Sequence, residues 1–147
     1  MTEYILMRQT HVSQIALLEQ LCFSHPWSEN AISGELENPL SLWFVAVEGD
    51  KVLGYVGSQS VMGEADMMNL AVDPEYRRRG IAEALVARLV DGLAHQQVYS
   101  LTLEVRASNE AAIKLYYKLG FTMTGRRPNY YSAPKEDALI LRKEWQL

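Results

Sequence analysis

The sequence predicts an α/β (α+β) domain, a mixed sheet of six to seven strands with about four helices. Three observations carry this. From Ser41 to Val72 the chain alternates β-branched and aromatic runs with tight turns, the pattern of an antiparallel meander. From Gly80 onward the apolar period lengthens to that of a helix, and helices then alternate with strands, which builds parallel neighbours. The length of 147 residues fits a single domain, 1–147, and a chain of this size buries about two thirds of the surface it exposes unfolded, so it needs no covalent staple.

Each element has a local reason. Tyr4 to Met7 reads as a first strand. Thr10 is a candidate cap for the helix that follows, in which Ile15, Leu18 and Cys22 share one face. Ser24-His25-Pro26-Trp27-Ser28 interrupts that helix, and Ser28 can cap a second short one ending before Asn38-Pro39. Ser41 to Glu48 and Val52 to Val61 form a hairpin about Gly49-Asp50. Met62-Gly63 turns the chain into a strand over Asp66 to Val72, which Asp73-Pro74 breaks. Gly80 opens a helix with an apolar stripe of Leu85, Val86, Leu89, Val90 and Leu93. Ser100 to Val105 is a strand, and the unit from Asp66 to Val105 should be parallel and right-handed. Asn109 to Leu119 is a helix stopped by Gly120. Phe121 to Arg127 and Ala138 to Arg142 are the last two strands.

Composition narrows the function. Hydrophobic residues make up 48% and charged residues 22%, an ordinary globular balance. A net charge of −4 argues against nucleic acid as the main partner. The single cysteine, Cys22, permits no internal disulfide. Its place on an apolar helix face suggests a buried structural thiol rather than a nucleophile. His11, His25 and His95 are scattered, so no metal site is expected. The N-terminus has no basic stretch leading into an apolar core, and no apolar run approaches the roughly 18 residues of a membrane span. A cytoplasmic monomer without membrane contact is expected.

The segment Val72 to Ala82 carries the chemistry. A strand ends, a basic loop follows, and a helix begins at a glycine. The first turn of a helix has free N–H groups and partial positive charge, a ready anion site. Gly80 and Ala82 let a pyrophosphate approach the backbone, and Arg77, Arg78 and Arg79 add charge. Taken alone, a charged loop is more often a solvated face. The segment lacks the Gly-Lys-Ser/Thr of a nucleotide P-loop and the three glycines of a dinucleotide fingerprint.

Its context is more specific. Arg77-x-x-Gly80-x-Ala82, after Leu70-Ala71-Val72-Asp73-Pro74, resembles the coenzyme A pyrophosphate loop of the GNAT acetyltransferase superfamily. Asn109 to Phe121, with Leu115-Tyr116 and Leu119-Gly120-Phe121, resembles the next hallmark of that superfamily. The stretches His25-Pro26-Trp27-Ser28-Glu29, Leu103-Glu104-Val105-Arg106-Ala107-Ser108-Asn109 and Arg126-Arg127-Pro128-Asn129-Tyr130-Tyr131 look like the bacterial ribosomal-protein alanine N-acetyltransferase (RimI) family. The run from Leu103 to Asn109 is the most specific, although related N-terminal acetyltransferases share it. Pro128, between Arg127 and Asn129, departs from the pattern.

The resemblance implies a GNAT fold and acetyl-CoA as co-substrate, with no metal. It implies backbone contacts to the coenzyme from Leu70, Ala71 and Val72. The pyrophosphate cradle would comprise Arg77, Arg78, Arg79, Gly80, Ile81, Ala82 and Glu83, and Asn109 would be both helix cap and coenzyme contact. Glu104 would be the general base, directly or through a water, and Tyr116 the general acid, with adjacent Tyr117 its rival. The bland alternatives are an arginine ion pair for Glu104 and a core position for Tyr116. Trp27, Tyr130 and Tyr131 would flank the substrate groove between the Pro26-Trp27 and Tyr130-Tyr131 loops, although Trp27 also suits simple packing. The implied reaction acetylates the N-terminal α-amino group of a protein, namely the alanine of small-subunit ribosomal protein eighteen. A small-molecule amine acceptor, or a coenzyme-binding sensor without turnover, are the alternatives.

Overall fold

The structure, a computed structural model, describes residues 1–147. Seven strands form one sheet in the order β1-β2-β3-β4-β5-β7-β6. They are β1 (Glu3–Leu6), β2 (Ser41–Glu48), β3 (Lys51–Val61), β4 (Glu64–Val72), β5 (Ser100–Arg106), β6 (Thr122–Ser132) and β7 (Lys135–Glu144). The β4–β5 pair is parallel and every other pair is antiparallel. Four α-helices complete the domain: α1 (Val12–Cys22), α2 (Glu29–Glu35), α3 (Ile81–His95) and α4 (Glu110–Lys118). This is the predicted mixed architecture. No helix is long and apolar enough to cross a membrane.

Both faces of the sheet are covered, which explains why β2 reads as a continuous apolar run rather than an alternating one. Leu42, Phe44 and Ala46 point into a core shared with Ile81, Leu85, Leu89 and Leu93 of α3. Trp43, Val45 and Val47 point the other way, onto Val12, Ile15 and Leu18 of α1 and Ile32 of α2. Burying each such aliphatic side chain contributes about 1.5–3 kcal/mol. Tyr116 and Phe121 extend the α3 layer, meeting edge-to-face at 5.5 Å.

Three local expectations need correction. Thr10 lies inside a 3-10 turn, Gln9–His11, and no side chain caps α1. The cap on α2 is as expected, with Ser28 Oγ accepting from the Ala31 N–H at 3.1 Å. Cys22 is half-buried at the end of α1 rather than in the core, because the helix stops there and its last turn faces a cavity. Tyr130 and Tyr131 lie in β6, not in a loop. The strand runs on past a bulge in which Pro128, Asn129 and Tyr130 all oppose Asp137. Proline has no N–H to give the ladder, and the Asp137 carboxylate takes over by accepting from the Asn129 N–H at 2.8 Å and Arg126 Nε at 2.6 Å. These two donors hold the Asp137 carboxyl below the usual carboxylate range.

Gly57 has the tightest surroundings of any glycine in the chain, since a Cβ there would sit 2.2 Å from the Trp43 ring. Gly57→Ala should therefore cost about 1–3 kcal/mol of stability through overpacking, read as a lower urea midpoint. Burial raises the phenol pKa of both Tyr55 and Tyr116. The unfolded chain ionises these phenols near pH 10 while the fold keeps them protonated, so stability present at neutral pH declines as pH rises above about 10. Urea midpoints at about pH 8 and about pH 10.5 should show this fall, with a shallower one in Tyr55→Phe.

Candidate active site

The site begins where two strands part. Parallel pairing between β4 and β5 runs only from Glu64–Asp66 to Ser100–Thr102. Beyond it, Met67 to Leu70 and Leu103 to Arg106 line opposite walls of a cavity of about 560 Å³. The β4 side is bulged: Asn69 faces Gly57 and Met67 faces Ser58, leaving Met68 as the extra residue. A bulge bends its strand and strengthens the local twist, which turns β4 away from β5. The edge of β4 turned toward β5 therefore has no strand partner past Asp66.

Glu104 sits on β5 between Leu103 and Val105, which are buried with the core, while its own side chain faces the cavity. Its Oε2 pairs with Arg127 Nε at 3.1 Å. An arginine partner thus coexists with a position in the cavity, and the partner comes from β6. Arg106 instead reaches Glu136 at 3.3 Å and the Pro134 carbonyl at 3.0 Å, and covers the Tyr131 ring at 4.2 Å. Arg106 ties the tip of the β6–β7 hairpin to β5.

Tyr116 also lines the cavity, with its hydroxyl 3.8 Å from Met67 Sδ. Its ring is 7% exposed. Burial keeps its phenol protonated far beyond neutral pH. Tyr117 is 47% exposed and lies outside the cavity. Asn109 caps α4, its Oδ1 accepting from the Ala112 N–H at 3.2 Å, and lines the cavity as well.

At the start of α3, Gly80 has φ +75° and no side chain caps the helix. A Cβ on Gly80 would meet nothing within 4 Å, so the space beside the start of the helix is open. Arg78 precedes it, also with positive φ. Arg77 turns inward, its guanidinium 3.4 Å from the Val72 carbonyl and 3.8 Å from Cys22 Sγ. Arg79 turns outward to Glu48 at 3.0 Å. Ile81 is buried and offers only its backbone, Ala82 packs against the core, and Glu83 pairs with Lys118 at 2.9 Å. Leu70 lines the cavity, whereas Ala71 and Val72 lie buried beyond it.

Trp27 and Tyr131 stand on the cavity wall, and Tyr130 is exposed beside Tyr131 at 5.1 Å. Trp27 also packs edge-on against Trp43 at 5.5 Å, so packing and lining coincide. Phe23, Met67 and Met68 line the cavity without having been singled out by sequence, and Cys22, read as a structural thiol, lines it too. Glu19 escaped notice too, although it falls four residues after Ile15 on the apolar face of α1. That misplaced charge was the available signal.

An open helix N-terminus, an unpaired strand edge, and a carboxylate and a phenol in one cavity suit transfer of an acyl group from an extended, anionic carrier. The model of the Acetyltransferase (GNAT) family matches residues 12–121. The chain belongs to the GNAT acetyltransferase family and is an acyltransferase. It is 40% identical over 126 residues to the ribosomal protein bS18-alanine N-acetyltransferase of Escherichia coli K12, covering 84% of each chain. It is 42% identical over 127 residues to the protein of the same name from Salmonella typhimurium, again covering 84% of each. The crystal structure of the ribosomal-protein-S18-alanine N-acetyltransferase from Escherichia coli superposes with TM-score 0.91 at 36% identity, over 100% of this chain and 96% of that one. Ard1 from Thermoplasma volcanium shares the fold, with TM-score 0.90 at 23% identity over 99% of each chain. The resemblance read from the Arg77–Ala82 and Leu103–Asn109 segments is borne out.

Gly80→Ala should cost about 1–2 kcal/mol of stability, because an L-residue is forced into the left-handed region. The added methyl also points into the open space above the helix. Coenzyme A affinity, measured by calorimetry, should fall by more than the loss of folded protein accounts for.

Proposed function

We propose that this chain transfers the acetyl group of acetyl-CoA to the N-terminal α-amino group of a protein, and that its substrate is the alanine of ribosomal protein bS18 in the cytoplasm. The observation that carries this reading is the pairing of Glu104 with Tyr116 in one cavity, in a chain at least 40% identical to enzymes named for that reaction.

The chemistry suits an α-amine. Its pKa of about 7.7–8.0 leaves roughly a tenth of it neutral at pH 7, whereas a lysine near 10.4 leaves under about a thousandth. Glu104 accepts the ammonium proton, and the cationic substrate takes the place of the Arg127 guanidinium. The freed nitrogen attacks the thioester carbonyl, and the unpaired edge of β4 at Leu70 supplies a donor to the developing oxyanion. As the C–S bond breaks, the Tyr116 hydroxyl gives its proton to the departing sulfur, and the second proton shed by the acylated nitrogen restores the phenol. Its raised pKa means that it never reaches neutral pH already ionised. The first-turn N–H groups of α3, with Arg77 and Arg78 beside them, would hold the pyrophosphate, and Asn109 would meet the coenzyme where it passes α4. Trp27 and Tyr131 would flank the first residue of the acceptor, with Tyr130 at the rim.

Acetylation of a short peptide beginning with alanine tests the reading. Glu104→Gln should lower kcat by about 10²–10⁴-fold, the usual range for a general base. Tyr116→Phe should lower kcat by at least about tenfold, while Tyr117→Phe stays near native. Turnover of spermine with none of the peptide would sink the proposal, as would coenzyme binding without turnover on any amine.

A further inference from the structure

Glu19 is a carboxylate with 0% exposure that the mechanism does not use. Three donors converge on it. Oε1 accepts the Trp27 backbone N–H at 2.8 Å. Oε2 accepts from Asn69 Nδ2 at 2.8 Å and from the Tyr55 hydroxyl. No arginine or lysine is paired with it. In all three contacts the Glu19 oxygens accept, and removing the acceptor would leave buried donors unpaired, which is costly.

The donors lie on three different parts of the site. Trp27 belongs to the segment between α1 and α2 that walls the cavity. Among residues 24–27, this N–H makes the only hydrogen bond to a residue outside the segment. The Trp27 ring meets Trp43 edge-on at 5.5 Å, and Trp43 stacks on Tyr55 at 6.0 Å. The Tyr55 hydroxyl returns to Glu19, so the contacts close into a ring through Glu19, Trp27, Trp43 and Tyr55. Asn69 lies next to the Met68 bulge and also lines the cavity.

We infer that Glu19 is a positioning residue for the acceptor: it fixes the distance between the Trp27 wall, against which the first residue of the peptide would lie, and the Asn69–Leu70 edge, where the thioester would lie. This rests on the acetyl-transfer reading of the cavity. Glu19 touches neither substrate, and acts through a backbone N–H and an amide. Its loss should let the segment from Phe23 to Trp27 drift while β4, held by its ladder to β3, stays in place. The acceptor side therefore suffers more than the coenzyme side.

The reference protein for the test is Tyr55→Phe, which removes one donor to Glu19 but leaves the tie to Trp27. Glu19→Met is the direct variant. The same change in the Tyr55→Phe background spares the fold an orphaned hydroxyl, so it stays measurable if the single variant does not fold. Relative to Tyr55→Phe, the double variant should raise KM for the alanine peptide by about tenfold and leave KM for acetyl-CoA within about twofold. Glu19→Gln, which retains an acceptor for the Trp27 N–H, should recover most of the peptide KM. In protein labelled with 5-fluorotryptophan, the Trp27 resonance, assigned by its loss in Trp27→Phe, should shift or broaden in the double variant while that of Trp145 stays. Equal changes in both KM values with an unmoved Trp27 resonance would reduce Glu19 to a structural residue and overturn the inference. If the wild-type protein turns over no peptide, the acceptor reading fails, and the Trp27 resonance alone then decides whether Glu19 positions that wall.

Discussion

The parting of β4 from β5 is the constraint on which the rest of the site depends. A parallel pair that stays hydrogen-bonded along its length has no room between its strands. Here the ladder ends at Asp66 and Thr102, and the Met68 bulge turns β4 aside. Three consequences follow from that divergence. The edge of β4 keeps donors and acceptors without a strand partner, a cavity opens between the two strands, and Tyr116 on α4 reaches a space that a closed sheet would have filled with side chains. The energy for holding the strands apart comes from elsewhere, since both faces of the sheet are packed by α1, α2 and α3. A well-filled core can sustain a local break in pairing because most of the stabilisation comes from apolar burial rather than from any single ladder bond.

Charge at the site is distributed by depth. The exposed pairs, such as Arg79–Glu48 and Lys118–Glu83, are of the kind that contribute little to stability. The buried carboxylates are different. Glu19 and Glu35 are each surrounded by neutral donors rather than by cations. For Glu35, burial raises the pKa, and bonds from Gln59, Ser41, Asn38 and Trp43 outweigh it, leaving the net value lowered. Neutral donors fix direction as well as charge, so both groups anchor aromatic rings: Glu35 accepts from Trp43 Nε1 at 3.2 Å, and Glu19 from Tyr55. Glu104, exposed on β5, pairs instead with the Arg127 guanidinium.

Most of the architecture is legible in the sequence because local signals and tertiary packing agree. β2 was bounded by Pro39 on one side and Gly49 on the other, and its ends fall at Ser41 and Glu48 as read. Ser28, Asn109 and Gly80 mark helix starts through their own chemistry as caps and as a left-handed residue. Thr10 misled because a capping residue type is necessary but not sufficient; the chain makes a 3-10 turn there instead. The Tyr130-Tyr131 segment misled because Pro128 ends a ladder locally, and nothing in the sequence tells that Asp137 resumes it. In the site, Glu104 and Tyr116 were singled out from short segments, and both line the cavity. The Arg127–Glu104 pair and the Glu19 network were not, because they join residues 23 and up to 50 positions apart, and no periodicity records such a contact.

The bulge in β6 has one more consequence, for how this molecule behaves among its own copies. β6 is one of the two edge strands of the sheet, and an open edge of that kind is a template on which a second chain could add a strand. The left-handed Asn129 kinks the strand at the bulge, and Arg126 and Arg127 put charge on it. These are recognised devices for blunting an edge. The bulge therefore also makes the exposed rim of the sheet a poor surface for aggregation.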